Sequence, residues 1–269
     1  MKTAYFDCFA GISGDMVVGA LIDLGLDSDR LEQELRKLPV NGYRIETGRV
    51  NKQGVQATRF RVFLGDHESA HMADSEFQEV DPDEISARQA EHENHHHSHH
   101  HKHRSLKDIL ALIDQSDLST RVKTTACEIF KRLGEAEAQV HNQPVEDIHF
   151  HEVGSVDAIV DIVSAAIGLE QLGIEQIYAS PLNLGTGFIR CAHGVYPVPA
   201  PATANLVVGA PVYTTSAKGE LTTPTGAAII TTIAHAFGPM PQLTIQATGY
   251  GAGSHDREFP NVLRVFLGA

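Results

Sequence analysis

Tryptophan is absent from this 269-residue chain, which excludes a binding cage built on indole faces. Cysteine is scarce. The three present, Cys8, Cys127 and Cys191, are odd in number, far apart and free of any C-x-x-C pair. That argues against a disulfide framework or a zinc ribbon and fits a reducing compartment. Basic residues are few, 21 Lys and Arg against 34 Asp and Glu, for a net charge of −13. Nucleic acid and anionic membranes both call for a basic footprint that is missing here. No apolar run approaches the roughly 20 residues of a membrane span. Asp7 and Asp15 interrupt the N-terminal stretch before it can serve as a signal peptide. A cytoplasmic protein is expected. What the chain does hold is 42% hydrophobic and 20% charged residues, enough for a folded core, and 16 histidines, eight of them between His92 and His103.

The periodicity predicts an α+β fold of mixed sheets with packed helices, with ferredoxin-like βαβ units as its expected building blocks. Residues 1–65 read as an N-terminal α/β segment. A strand from Thr3 to Phe9 is followed by a glycine turn and a helix with apolar Met16, Val17, Ala20, Leu21 and Leu24. A second helix covers Ser28 to Leu38, and strands 43–50 and 56–64 are joined by a turn at 51–54. Residues 66–104 read as a long disordered loop. Between Asp66 and Asn94 ten acids face one base, Arg88, which places −9 of the net charge there, and few large apolar residues are present to repay ordering. Residues 105–269 read as the remainder of the same globular region. Helices are expected from Ser105, over Ser119–Val140, over Ser155–Leu172, at Pro201–Val208, and from Thr222 to near Phe237. The Pro/Gly-rich stretch 180–201 reads mostly as loop, and strands are expected at 243–248 and 262–267. Arg61-Val62-Phe63-Leu64-Gly65 recurs as Arg264-Val265-Phe266-Leu267-Gly268, a short echo consistent with a duplicated unit or with chance.

Four groups of residues can carry chemistry. The first is the histidine run His95, His96, His97, His99, His100, His101 and His103. Imidazoles on a loop capture soft or borderline divalent metals in many arrangements, which suits storage or delivery better than catalysis. The second is His149-Phe150-His151-Glu152. In a strand, His149 and His151 point the same way, within reach of one ion. Glu152 adds a carboxylate, and Asp157 and Asp161 follow on one helix face. The same residues also read as caps, with Glu152 and Asp157 at a helix N-terminus, Asp161 solvated, and the histidines satisfying buried backbone. The third is Asp7-Cys8-Phe9-Ala10-Gly11-Ile12-Ser13-Gly14-Asp15, a turn that offers backbone N–H groups to an anion and two carboxylates to a cation or a proton. Thr223-Pro224-Thr225-Gly226 makes a similar offer at a later helix start, or simply caps it. Cys8 reads as a soft ligand or as core.

In this order, these segments resemble the LarC family, the nickel insertion proteins of the nickel-pincer cofactor of lactate racemase. The resemblance runs through Phe6-Asp7 and Gly11-Ile12-Ser13-Gly14-Asp15-Met16, the histidine run before Arg104, and His149 to Asp157. It continues through His193-Gly194 with Pro197 to Thr203, Gly219 to Ala228, and Gly249 to Gly253. It implies a CTP-dependent nickel insertase, a cyclometallase of the lyase class acting in lactate racemase maturation. The implied substrate is a pyridinium bisthiocarboxylate mononucleotide. Ni²⁺ would be held by the histidine run, His149, His151, Glu152, Asp157 and His193. Gly11, Ser13, Gly14, Thr223, Thr225 and Gly226 would take the substrate phosphate, and Asp7 or Asp15 the ring proton. Full-length members of the family continue past the equivalent of Ala269 into a module that uses CTP with Mg²⁺ or Mn²⁺, so the chain resembles the N-terminal part. The expected partners are the substrate, that C-terminal part and a second copy of the chain, with no nucleic acid and no membrane. The alternative reading is a non-catalytic nickel chaperone or store. A glycine-turn hydrolase is the weakest of the three, because no nucleophile–base pair is visible.

Overall fold

The computed structural model describes residues 1–65, 78–80, 104–150, 155–191 and 194–269, with backbone alone at 78–80 and at His149. Thr3–Asp7 is buried along nearly its whole length and forms β1, as expected for a central strand covered on both faces. Around it lies a seven-stranded mixed sheet whose other members are β2 (Tyr43–Lys52), β3 (Val55–Leu64), β4 (Gln176–Ala179), β5 (Ala236–Phe237), β6 (Ile245–Ala252) and β7 (Val262–Gly268). The spatial order is β5-β4-β1-β7-β6-β3-β2. β1, β4 and β5 run parallel, and β7 runs antiparallel to both β1 and β6. β6 is parallel to β3, which forms a ten-residue hairpin ladder with β2. The mixed sheet and its packed helices are the α+β architecture expected from the sequence. The echoed pentapeptides are not a paired repeat: one ends β3, the other fills β7, and β6 separates them.

The helices follow their caps. α1 (Gly14–Asp23) turns Met16, Val17, Val18, Ala20 and Leu21 inward. α2 (Ser28–Leu35) begins where the Asp27 side chain accepts from the Asp29 and Arg30 amides. α3 (Leu106–Asp114) opens with a Ser105/Asp108 capping box. α4 (Thr120–His141) is capped by Ser119 and ends at Asn142 in the left-handed conformation. α5 (Val156–Gln171) is buried almost all round from Ala158 to Leu169, the signature of a central core helix. α6 (Pro201–Leu206) and α7 (Pro224–Ile233) both carry proline in the first turn. α1 lies so close on the sheet that a Cβ at Gly251 would sit 1.8 Å from the Met16 carbonyl oxygen. Side chains from both sides of the 66–104 segment, Phe60 and Leu263 among them, share one core.

Three expectations change. α7 stops at Ile233 rather than near Phe237, because Ala234 turns extended and the His235 amide donates to the Ile177 carbonyl (2.7 Å), which starts β5. The stretch 180–201 holds short paired strands at Leu182–Asn183, Gly185–Thr186, Phe188–Cys191 and Gly194–Pro197. Finally, most of the expected acidic and histidine-rich loop lies outside the described residues, but Gln78–Val80 within it forms a strand antiparallel to Phe188–Arg190. Backbone pairing of this kind needs no apolar run, so hydropathy does not reveal it.

Candidate metal and substrate site

The turn after β1 is built by backbone contact. The Gly11 amide donates to the Cys8 carbonyl (2.9 Å), the Ile12 amide to the Leu221 carbonyl (3.0 Å), and the Thr223 amide back to the Ile12 carbonyl (3.0 Å). Gly11 has φ +84°, and a Cβ there would lie 2.0 Å from the Leu221 carbonyl oxygen. One at Gly226 would lie 2.1 Å from the Ile12 carbonyl oxygen, and one at Gly14 2.4 Å from Asp161 Oδ2. Three of the expected anion-binding glycines are therefore contact points. They dock the start of α1 against the start of α7 and the flank of α5. The Gly226 amide donates to Thr223 Oγ1 (3.2 Å). Thr225 is half-buried in the first turn of α7, as Ser13 is at the start of α1.

This docking gathers carboxylates. Ser13, at the N-cap of α1, does not cap with its side chain. Its hydroxyl donates to Asp15, which also accepts from the Met16 amide (2.8 Å). Ser155 at the N-cap of α5 likewise makes no side-chain cap. Among the described residues, Ser155 Oγ, Asp157 Oδ1 and Asp161 Oδ1 are buried without a hydrogen-bond partner. The sequence reading that left Asp161 solvated is corrected, because it packs on Gly14. Burial first, then the charges of Asp15 and Asp157, hold the Asp161 carboxyl well above its ordinary value of 3.8. The folded protein therefore keeps a proton that the unfolded chain releases, and stability is lost as pH rises above that value. Asp161→Asn is expected to raise the melting temperature at pH 8 and to lose that gain below pH 3.8. Thermal melts of both proteins across this range check it.

Asp7 lies at the C-terminal end of β1 and accepts two hydrogen bonds from Arg264 on one oxygen, Oδ2, that from Nε measuring 3.0 Å. Nothing in the local sequence singles out Arg264. It reaches Asp7 because β1 and β7 pair residue 7 with residue 264. Cys8 is wholly buried, and burial with the Asp7 charge pushes its thiol far up, so it belongs to the core.

The metal ligands expected at His95, His96, His97, His99, His100, His101, His103, His151, Glu152 and His193 lie outside the described residues, but their flanks do not. His149–Phe150 is a strand, and it pairs antiparallel with Arg104–Ser105, placing Arg104 opposite Phe150 and Ser105 opposite His149. The residue that follows the histidine run thus lies beside the H-x-H segment. Likewise, Gln78–Val80 is the neighbour of Phe188–Cys191, whose hairpin partner starts at Gly194, next to His193. Among the described residues, no group of three His, Cys, Asp or Glu side chains is disposed to hold a metal ion.

The profile of the nickel insertion protein family matches residues 4–269. The chain belongs to that family. Curated relatives include the pyridinium-3,5-bisthiocarboxylic acid mononucleotide nickel insertion proteins of Geobacillus kaustophilus, 47% identical over 270 residues, and of Desulfitobacterium hafniense strain DSM 10664, 46% identical over 268. Each alignment covers 100% of this chain and, respectively, 60% and 58% of the relative. The chain thus spans about six-tenths of these nickel insertion proteins. No solved structure matches it. Among the described residues, no helix is long and apolar enough to cross a membrane.

Proposed function

We propose that the chain carries out the nickel-handling part of nickel insertion into a pyridinium bisthiocarboxylate mononucleotide, in the cytoplasm. The product is the nickel-pincer cofactor used in lactate racemase maturation. The observation that carries this reading is the pairing of Arg104–Ser105 with His149–Phe150, so that the residue next after the histidine-rich segment in the sequence lies beside the strand that begins the H-x-H motif. A store would need the first set alone. Ni²⁺ is cargo here. The histidine run concentrates it, and His149, His151, Glu152 and Asp157, with His193, pass it to the substrate.

Forming the nickel–carbon bond breaks a ring C–H bond, whose electron pair goes to nickel and whose proton must leave. Asp7 is paired with Arg264, and Asp15 is held by Ser13 and the Met16 amide at the start of α1; of these two carboxylates we assign proton acceptance to Asp15. CTP with Mg²⁺ or Mn²⁺ acts on the part of the relatives beyond the span matched here, and that part is the expected partner of this chain, as is a second copy of it.

The test mixes this chain with Ni²⁺, the bisthiocarboxylate mononucleotide, CTP and Mg²⁺ or Mn²⁺, with and without the C-terminal part of a relative. Mass spectrometry then reads the nickel adduct of the nucleotide. Product is expected with both parts present, and Asp15→Asn is expected to slow it about 100-fold. Tight nickel binding with no adduct under either condition would instead favour the nickel chaperone.

A further inference from the structure

Gly249 and Gly251 face α1, approaching the Ala20 and Met16 carbonyl oxygens. Strand alternation then turns Tyr250 to the opposite face of the sheet. Register extends that face across three strands: Tyr250 opposes Arg264, and Arg264 opposes Asp7. The row is fixed from behind, because the Tyr250 amide donates to the buried Asp23 carboxylate (2.8 Å). The Arg264 side chain is 38% exposed and that of Asp7 17%, so both charges are reachable from solvent. The guanidinium lies 4.8 Å from the Phe266 ring centroid and 5.7 Å from that of Phe9. Tyr213, 39% exposed, donates its hydroxyl to the Phe9 carbonyl (3.4 Å) and feels the Asp7 charge. A cation and an anion held side by side among aromatic rings do not match a simple phosphate. They match a flat ring that is itself positive and carries a negative planar substituent. Aromatic faces and a carboxylate attract the ring charge, and the fork of an arginine reads a carboxylate in its plane.

We infer that the Asp7–Arg264–Tyr250 row, walled by Phe9 and Tyr213, is the recognition site for a pyridinium ring bearing carboxylate or thiocarboxylate groups, with Arg264 as the residue that selects the anionic substituent. The inference rests on the nickel-insertion reading for the identity of the ligand. Asp7 holds the guanidinium in place and faces the ring charge, and Tyr213 covers the ring.

Two mononucleotides separate the terms. Nicotinic acid mononucleotide and nicotinamide mononucleotide share ribose, phosphate and ring charge, and differ in a carboxylate against an amide. Calorimetry without nickel is expected to show the acid bound about tenfold more tightly than the amide. Arg264→Gln is expected to bring the two within about twofold, and Arg264→Lys to fall between, since charge stays and the fork is lost. Tyr213→Ala, at an exposed ring, is expected to weaken both nucleotides alike and leave their ratio unchanged. It keeps the test sound if Arg264→Gln fails to fold. An unchanged preference in folded Arg264→Gln, or a Tyr213→Ala protein that binds both as wild type does, overturns the site while leaving nickel insertion intact. Arg264-dependent preference with no nickel adduct in the insertion assay keeps the site and removes the reading. No binding of either nucleotide or of the bisthiocarboxylate removes both.

Discussion

Replacing His149 and His151 together by alanine is expected to raise the dissociation constant of the tightest nickel site by about 100-fold or more, and to abolish adduct formation at low nickel. Loss of a mere supporting residue around a metal already costs about 10- to 100-fold, and this change removes both imidazoles of the H-x-H pair. The strand itself is secured by other means: Phe150 is buried, and the Leu106 amide donates to the Ile148 carbonyl (3.3 Å). The melting temperature of the double variant should therefore stay within about 2 °C of wild type, a shift under ~1 kcal/mol. Calorimetry and a thermal melt on the same preparation check both halves. Unchanged nickel affinity in a folded variant would place the metal elsewhere.

Gly11→Ala should give the largest stability loss of any single methyl added near the site. The residue must hold φ +84° while its Cβ would stand 2.0 Å from the Leu221 carbonyl oxygen. Neither partner can step aside, because Ile12 and Thr223 lock the two segments by hydrogen bonds on both sides. Strain and overpacking together cost about 3 kcal/mol, which for a chain of this size is a fall of roughly 6–12 °C in melting temperature. Gly54→Ala is the control. Its φ is +88°, but nothing lies within 4 Å of the added carbon, so backbone strain alone remains, about 1 kcal/mol. Equal shifts for the two variants would show that conformation, rather than the docking of α1 on the Leu221 segment, sets the requirement for glycine at position 11.

Much of the fold is legible where signals are local. Ser119 caps a 22-residue helix whose stripe of Val122, Ala126, Ile129, Phe130 and Leu133 is buried as the spacing predicts. The β2–β3 hairpin follows from two alternating runs around Asn51–Gly54, where the Asn51 side chain accepts from the Gly54 amide (2.9 Å). What the sequence hides is set by distant partners. Gln176–Ala179 is only four residues long and alternates half-buried and buried positions, yet it is a strand because β1 and β5 flank it. Arg264 carries no motif of its own, and its place beside Asp7 comes from register across 257 residues. The glycines at 11, 14 and 226 suggest anion binding when read along the chain. In three dimensions each meets a backbone carbonyl or Asp161. For the candidate metal site, spacing suggests the H-x-H pair, but the pairing of His149–Phe150 with Arg104–Ser105 is a tertiary fact with no local signature.

The central claim is that nickel is held at an ordered site in the folded core and not only by the histidine run. Nickel calorimetry on a variant lacking residues 92–103 tests it most directly. The account predicts that the many weak equivalents disappear while one tight site per chain remains, and that the His149→Ala/His151→Ala change then removes it. If all nickel binding disappears with the deletion, the core holds no site of its own, and the chain carries nickel without placing it.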